Sequence, residues 1–204
     1  MILLASTSPR RKELLEKACV AFQVVPTETK ECMDPAYSPA VNAMVSGWQK
    51  ARGAVRLGAY GTVLGCDTIV VADEEILEKP KDRADAFRMI RKLAGNTHCV
   101  ISGFGIIDTQ TGLNRADYVV SRVTVREMQD AEINALLDTG EYEGKSGAYM
   151  VQGSMRQYIT KIEGSVDSIV GLPVAEILDC MEREADGRAG KIQDKRTPGR
   201  NETA

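Results

Sequence analysis

Histidine is nearly absent from the chain: His98 is the only one, and no G-x-S-x-G sequence occurs. A serine or cysteine hydrolase that uses a histidine base would need a nucleophile close to this single residue. The sequence marks no such nucleophile, and a structural role within a strand is the better interpretation of His98. A Ser-His or Cys-His catalytic pair is therefore not predicted.

Paired cysteines are also lacking. The five cysteines lie far apart, and no C-x-x-C pair occurs among them. Zinc sites made of thiolates and disulfide frameworks both need a more regular spacing. The pattern predicts neither, and it favours a reducing compartment, so we expect a cytoplasmic protein.

Long apolar runs and an excess of positive charge are missing as well. No run reaches the roughly 18 apolar residues of a membrane span, and the first arginines follow the apolar start of the chain. The 26 basic and 29 acidic residues give a pI near 5.4, which does not favour binding to a polyanion. We expect no membrane segment, no signal peptide and no nucleic-acid partner.

What the chain does contain is an alternation of apolar runs and amphipathic stretches typical of an α/β domain. Early strand–helix alternation followed by a long antiparallel pair predicts a mixed sheet. From Glu184 onward the only large aliphatic residue is Ile192, so we predict one domain over 1–184, with two lobes, and a disordered polar tail over 185–204. Strands are predicted at 2–5, 22–25, 62–72, 75–78, 98–108, 114–126 and 157–163, and helices at 9–17, 39–58, 82–93, 129–139 and 173–184.

The first strand runs into a helix through a segment rich in hydroxyls. Ser6, Thr7 and Ser8 precede Pro9, and two arginines follow within one turn. Free backbone N–H groups at a helix N-terminus, hydroxyls and guanidinium groups together suit a phosphate. An ordinary Ser-Pro helix cap with solvated arginines is the alternative.

Two charged residues stand out because of their surroundings. Asp67 lies inside an apolar strand, where the desolvation of a carboxylate costs free energy unless a cation or a metal ion pairs with it. Lys79 precedes Pro80, which favours an extended backbone and a fixed direction for the ammonium group. The alternatives are an aspartate that caps a loop at a strand end and a solvated run of charges.

Three other polar or charged residues do not indicate a function by themselves. Glu31 and Lys50 have solvation as their default role, and the Gln152 amide could contact a base edge or order its loop. The stretch from Gly144 to Ser146 is similar to the end of a phosphate-binding P-loop, but position 139 is threonine where the motif needs glycine, so we reject a P-loop.

Taken together, the segments resemble the Maf family of nucleoside triphosphate pyrophosphatases over nearly the whole chain, from Ile2 to about Glu182. Several ordered matches are far more specific than any one of them. The matching segments are LLASTSPRRKELL at 3–15, Glu31, QKAR at 49–52, GCDTIV at 65–70, LEKP at 77–80, GAYMVQG at 147–153 and IVGLPV at 169–174.

The resemblance implies a fold similar to inosine triphosphatase, with a long twisted mixed sheet between two lobes and a central nucleotide cleft. It implies Asp67 as the proton acceptor, with Glu31 and Lys79 as further catalytic residues. Glu31 and Asp67 would hold a divalent cation, Mg²⁺ or Mn²⁺. The residues implied to bind the phosphates are Ser6, Ser8, Arg11, Lys50 and Lys79.

Three positions resemble the branch of the family that hydrolyses dTTP and UTP, namely Arg10, Thr68 and Gln152. The alternatives are a 7-methyl-GTP or broad non-canonical nucleotide pyrophosphatase, which Arg10 disfavours, and a nucleotide-binding regulator of septum formation. Related proteins often form homodimers, so the resemblance also implies a possible homodimer.

Overall fold

The computed structural model describes residues 1–27, 29 and 33–194; Glu31 and residues 195–204 lie outside this part of the chain. The chain divides into two compact units, Met1–Val174 and Ala175–Ala204. The first unit contains the whole sheet. The predicted single domain over 1–184 stays a prediction.

The sequence of elements follows the predicted alternation closely, and most ends agree within two residues. The strands are β1 (Ile2–Leu4), β2 (Phe22–Val24), β3 (Thr62–Ala72), β4 (Glu75–Leu77), β5 (Thr97–Asp108), β6 (Asn114–Val125) and β7 (Ile159–Glu163). The helices are α1 (Pro9–Lys17), α2 (Pro39–Arg56), α3 (Arg83–Leu93), α4 (Asp130–Asp138), α5 (Val166–Val170) and α6 (Val174–Asp194), with 3-10 turns at Ser146–Ala148 and Ser154–Tyr158.

The described strands form one seven-stranded mixed sheet in the order β2-β1-β3-β5-β6-β7, with β4 paired to β3. Strands β2, β1 and β3 are parallel, because each crossover between them carries a helix. From β3 through β5 and β6 to β7 the pairing is antiparallel. The predicted mixed α/β sheet is confirmed.

One edge of β3 is only partly covered. Strand β1 pairs with it as far as Leu4 opposite Leu64, and β4 pairs with it from Val70 onward. The described strands therefore leave residues 65–69 without a neighbour on this edge. We call this stretch the β3 gap, and Asp67 lies at its centre.

Helix α2 lies very close to β3 and β5, and glycines make this possible. A Cβ atom on Gly65 would lie 2.3 Å from the carbonyl oxygen of Gly47, and one on Gly103 would lie 2.1 Å from the carbonyl carbon of Ala43. Small side chains such as Ala51 complete the buried layer between α2 and the sheet. This close packing brings the side chains of α2 within reach of the strand that carries Asp67.

Two helices differ from the predicted pattern. Helix α5 is five residues long, and such a short helix leaves too little periodicity to detect. Helix α6 continues to Asp194, ten residues beyond its predicted end. The part of the predicted disordered tail at 195–204 lies outside the described residues.

Among the described helices, none combines the length and the apolar character that crossing a membrane requires.

Candidate active site

A cavity of about 1090 Å³ opens at the β3 gap, and it collects the predicted site residues. Ten residues were predicted, and nine of them belong to the described part of the chain. All nine line this cavity; the tenth, Glu31, lies outside the described residues. The nine are Ser6, Ser8, Arg10, Arg11, Lys50, Asp67, Thr68, Lys79 and Gln152.

The turn from β1 into α1 forms one wall. The Ser8 N–H group donates to the Ser6 hydroxyl at 3.2 Å, and Arg11 Nη1 donates to the same hydroxyl at 3.0 Å. Arg11 Nε donates to the Gly171 carbonyl at 2.9 Å, which fixes the guanidinium plane. Ser8 precedes Pro9 at the helix start without a side-chain capping bond. The helix N-terminus and a fixed guanidinium group thus face the same cavity, which suits an anion.

The electrostatics of this wall also favour an anion. Partial burial, followed by repulsion from Arg11, lowers the pKa of Arg10. Two neighbouring guanidinium groups in a partly desolvated position repel one another, and a phosphate between them would relieve that repulsion.

Asp67 faces α2 from the middle of β3 and is held by an ion pair. Its Oδ1 accepts a hydrogen bond from Lys50 Nζ at 2.6 Å, and the two residues are only 7% and 9% exposed. The ammonium group of Lys50 balances the negative charge of Asp67, which lies inside an otherwise apolar strand. A buried, paired carboxylate has a fixed direction, as a general base or a metal ligand requires.

Thr68 projects to the opposite face of β3, since side chains alternate along a strand. Its hydroxyl is hydrogen-bonded at 2.7 Å to that of Ser102, which lies directly across on β5 and itself donates to the Ser168 carbonyl at 2.7 Å. The cavity is lined by both Asp67 and Thr68 because the missing strand neighbour opens both faces of the sheet at one point.

The environment of Cys66, next to Asp67, does not suit a catalytic nucleophile. It is buried, its thiol lies 3.3 Å from the Gly171 carbonyl oxygen that accepts its hydrogen bond, and burial raises its pKa. Catalytic cysteines need a lowered pKa and access to the substrate. This favours the carboxylate over the thiol as the reactive group.

Sequence reasoning missed several residues of the opposite wall. Lys145, Ser146 and Tyr149 line the cavity, although the stretch 144–146 was considered only as a P-loop and rejected. Lys145 Nζ donates to the Glu143 carbonyl at 3.0 Å, and the Ser146 hydroxyl donates to the Thr68 carbonyl at 3.4 Å. The signal that could have found them is the GAYMVQG segment at 147–153, which contains Tyr149 and directly follows Ser146.

A divalent cation fits the chemistry of this cavity. Magnesium prefers oxygen ligands and is commonly held by one or two carboxylates together with substrate phosphates. Asp67 supplies a fixed carboxylate, while no group of three or more acidic, cysteine or histidine side chains in the described residues could hold a metal alone. A shared site of Asp67 and substrate oxygens fits the described residues.

Comparison with known proteins agrees with the segments identified above. The profile of the family described as "Maf-like protein" matches residues 1–184. The chain belongs to the Maf family. A protein of Syntrophotalea carbinolica, described as a dTTP/UTP pyrophosphatase, is 44% identical over 184 residues, which cover 89% of this chain and 84% of the relative.

Two further relatives bear the same description. That of Caldanaerobacter subterraneus subsp. tengcongensis is 40% identical over 96% of both chains. That of Citrifermentans bemidjiense is 42% identical over 88% of this chain and 93% of its own. The Maf resemblance inferred from the motifs is thereby confirmed, and it extends over the whole described cavity.

Proposed function

We propose that this chain is a nucleoside triphosphate pyrophosphatase that hydrolyses dTTP and UTP to the monophosphate and pyrophosphate. The observation that carries the proposal is a fixed carboxylate, Asp67, in the same cavity as the cationic wall of Arg10 and Arg11. The relatives described as dTTP/UTP pyrophosphatases support it, because they align with almost the entire chain.

The positions of these groups support the following reaction. A water oxygen bonds to the α-phosphorus, its proton passes to the Asp67 carboxylate, and the bond from that phosphorus to the bridging oxygen breaks, releasing pyrophosphate. Lys50 orients the carboxylate through its hydrogen bond of 2.6 Å. Arg11 and Lys79 neutralise the charge that develops on the departing pyrophosphate.

A bound Mg²⁺ or Mn²⁺ would polarise the phosphoryl group and lower the pKa of a coordinated water. Asp67 is the described residue proposed to hold it, and Glu31 is the second ligand that the family resemblance implies.

The pyrimidine base is proposed to lie between Thr68 and Gln152, which both line the cavity. Thr68 presents a hydroxyl whose position Ser102 fixes, and Gln152 presents an amide that can both donate and accept. Arg10 is the third selective residue. A site that hydrogen-bonds the base rejects analogues that cannot match it, since their binding leaves buried polar groups unpaired.

A panel of dTTP, UTP, CTP, ITP and 7-methyl-GTP, assayed with Mg²⁺, with Mn²⁺ and with chelator, tests this proposal. We expect monophosphate and pyrophosphate from dTTP and UTP at the highest kcat/KM, with loss of activity in chelator. A preference for 7-methyl-GTP or ITP would support the alternative pyrophosphatase. Binding without turnover of any nucleotide would support a regulatory role and overturn the enzymatic one.

We also propose a cytoplasmic location and a homodimer. The described cysteines form no disulfide, as a reducing compartment requires. On β6, Tyr118 and Val120 are exposed beyond the stretch that β7 covers, which is a surface that a second copy could bury. Light scattering on the purified chain measures the assembly, and a monomeric mass at micromolar concentration would exclude the dimer.

A further inference from the structure

His98 is hydrogen-bonded to Tyr149, a residue that lines the cavity. It lies on β5, two residues before Val100, which lines the cavity on the same face of the strand. Its Nε2 lies 2.7 Å from the Tyr149 hydroxyl, and the two rings meet edge to face at 87°. Both residues are buried, with exposures of 2% and 7%. Tyr149 lines the cavity and begins the stretch 149–152, which we call the recognition segment.

The chemistry of the pair defines which atom donates. Burial raises the pKa of Tyr149, so the phenol keeps its hydrogen and must place it on an acceptor. Burial lowers the pKa of His98 to about 4, so the imidazole is neutral and one nitrogen can accept. The described residues offer the hydroxyl no other acceptor, so Tyr149 donates to Nε2 and the imidazole hydrogen lies on Nδ1.

This arrangement is costly if its only purpose is to fill the core. Nδ1 of His98 is buried and finds no hydrogen-bond partner among the described residues. An unsatisfied buried polar atom destabilises a fold, and two apolar side chains of similar size would avoid the cost. What the polar pair adds is a directional bond that fixes the tyrosine ring in one place.

The recognition segment needs such a bond because the two residues before it have strained backbone conformations. Gly147 and Ala148 both have positive φ, of 68° and 60°, and alanine pays a steric penalty in that conformation. Strained conformations persist where the surroundings determine them from several sides. Here the Gly147 N–H donates to the Glu78 carbonyl at 3.2 Å, and the Tyr149 hydroxyl supplies the next anchor along the chain.

The other end of the segment is fixed separately. The Glu141 carboxylate accepts from the Ser154 N–H at 2.8 Å and from the Ser154 hydroxyl at 3.1 Å. Gly153 lets this carboxylate approach, since a Cβ there would lie 2.1 Å from it. With both ends held, the backbone that carries Gln152 is fixed in the cavity wall, from which its amide can contact a base.

We infer that His98 and Tyr149 are positioning residues for base selection: their hydrogen bond holds the recognition segment where Gln152 can contact the base. This rests on the proposed function, in which Gln152 contacts the pyrimidine. Asp67 lies on a different strand and is held by Lys50, so the bond governs selectivity more than the chemical step.

Tyr149→Phe removes one oxygen atom and tests the inference directly. We expect the ratio of kcat/KM for UTP to that for CTP to fall about three- to tenfold, since a neutral hydrogen bond is lost, while kcat for UTP changes less than twofold. Tyr158→Phe is the matched control, because Tyr158 is equally buried but does not line the cavity. It should leave the ratio unchanged.

His98 provides an independent test. His98→Gln keeps an acceptor near the Tyr149 hydroxyl and should retain most of the preference for UTP over CTP in kcat/KM. His98→Met removes the acceptor and should lower this preference as much as Tyr149→Phe does. The double variant of His98→Met and Tyr149→Phe should show no further loss. Equal ratios in the Gln and Met variants, or an unchanged ratio in Tyr149→Phe, would overturn the inference. Absence of UTP hydrolysis by the unmodified protein would instead overturn the proposed function.

Discussion

At the scale of single residues, Asp67 is the group on which the proposed chemistry depends most. We expect Asp67→Asn to fold normally and to lose about 10²- to 10⁴-fold in kcat, because the amide cannot accept the proton from water. Nucleotide affinity, measured by calorimetry without a divalent cation, should change little. Asp117→Asn, an exposed carboxylate on β6, is the matched control. Near-normal pyrophosphate release by Asp67→Asn would remove this residue from its role.

His98 makes a pH-dependent contribution to stability. Its pKa is about 4 in the folded protein against 6.5 for an exposed histidine, so the folded state binds the proton less readily than the unfolded state. The stabilisation is fully present above pH 6.5 and is lost as the pH falls toward 4. The difference corresponds to about 3 kcal/mol in the free energy of unfolding.

Urea unfolding of the unmodified protein and of His98→Gln at pH 7 and pH 4 measures this contribution. Carboxylates affect both proteins alike, so the stability advantage of the unmodified protein over the variant should decrease by about 3 kcal/mol at the lower pH. Parallel stability curves for the two proteins would contradict the neutral, buried histidine.

At the scale of elements, the close contact between α2 and β3 controls both stability and the Asp67–Lys50 pair. The methyl group of Gly65→Ala would lie 2.3 Å from Gly47 O and 2.4 Å from Ala51 N, and backbone atoms cannot move aside singly. We expect a loss of about 3 kcal/mol, or roughly 6–12 °C in Tm for a domain of this size, together with reduced turnover as α2 shifts.

Gly112→Ala is the comparison for that variant. Nothing lies within 4 Å of a Cβ atom at Gly112, and its φ of 74° alone makes alanine unfavourable. The expected cost is about 1 kcal/mol. Equal melting temperatures for the two variants would show that the close approach of α2 to β3 does not depend on the absence of a side chain at Gly65.

The elements also show what the sequence could predict. Apolar runs such as that of β3 and amphipathic stretches such as α2 can be predicted from their periodicity. Both elements carry predicted site residues that line the cavity. The β3 gap was not predictable, because register and strand order are set by contacts between distant segments. The left-handed backbone at Ala148 gave no signal either, since alanine is not a residue expected there.

At the scale of the whole molecule, a chain of net charge −3 contains a cavity in which basic residues outnumber acidic ones. The described lining has five basic residues, Arg10, Arg11, Lys50, Lys79 and Lys145, and three acidic ones, Glu13, Asp67 and Glu78. A local positive field attracts a triphosphate, and dissolved salt screens it. We expect kcat/KM for dTTP to fall about tenfold between low salt and about 0.3 M, with kcat nearly constant. Initial rates at several ionic strengths measure this.

Lys145→Met should flatten that salt dependence, because it removes one cavity charge. Lys161→Met, at an exposed position on β7 outside the cavity, should not alter it. A salt effect confined to kcat, or equal slopes for both variants, would argue against electrostatic attraction of the substrate.

The β3 gap has a consequence for how the protein can diversify. Asp67 and Thr68 are neighbours in the chain, yet one is supported by α2 and the other by Ser102 on the far side of the sheet. If Thr68 contacts the base and Asp67 accepts the proton, as proposed, a substitution around Thr68 can alter which nucleobase is accepted and leave the Asp67 side intact. Substrate preference and bond cleavage can therefore change independently, although a single peptide bond joins the two residues.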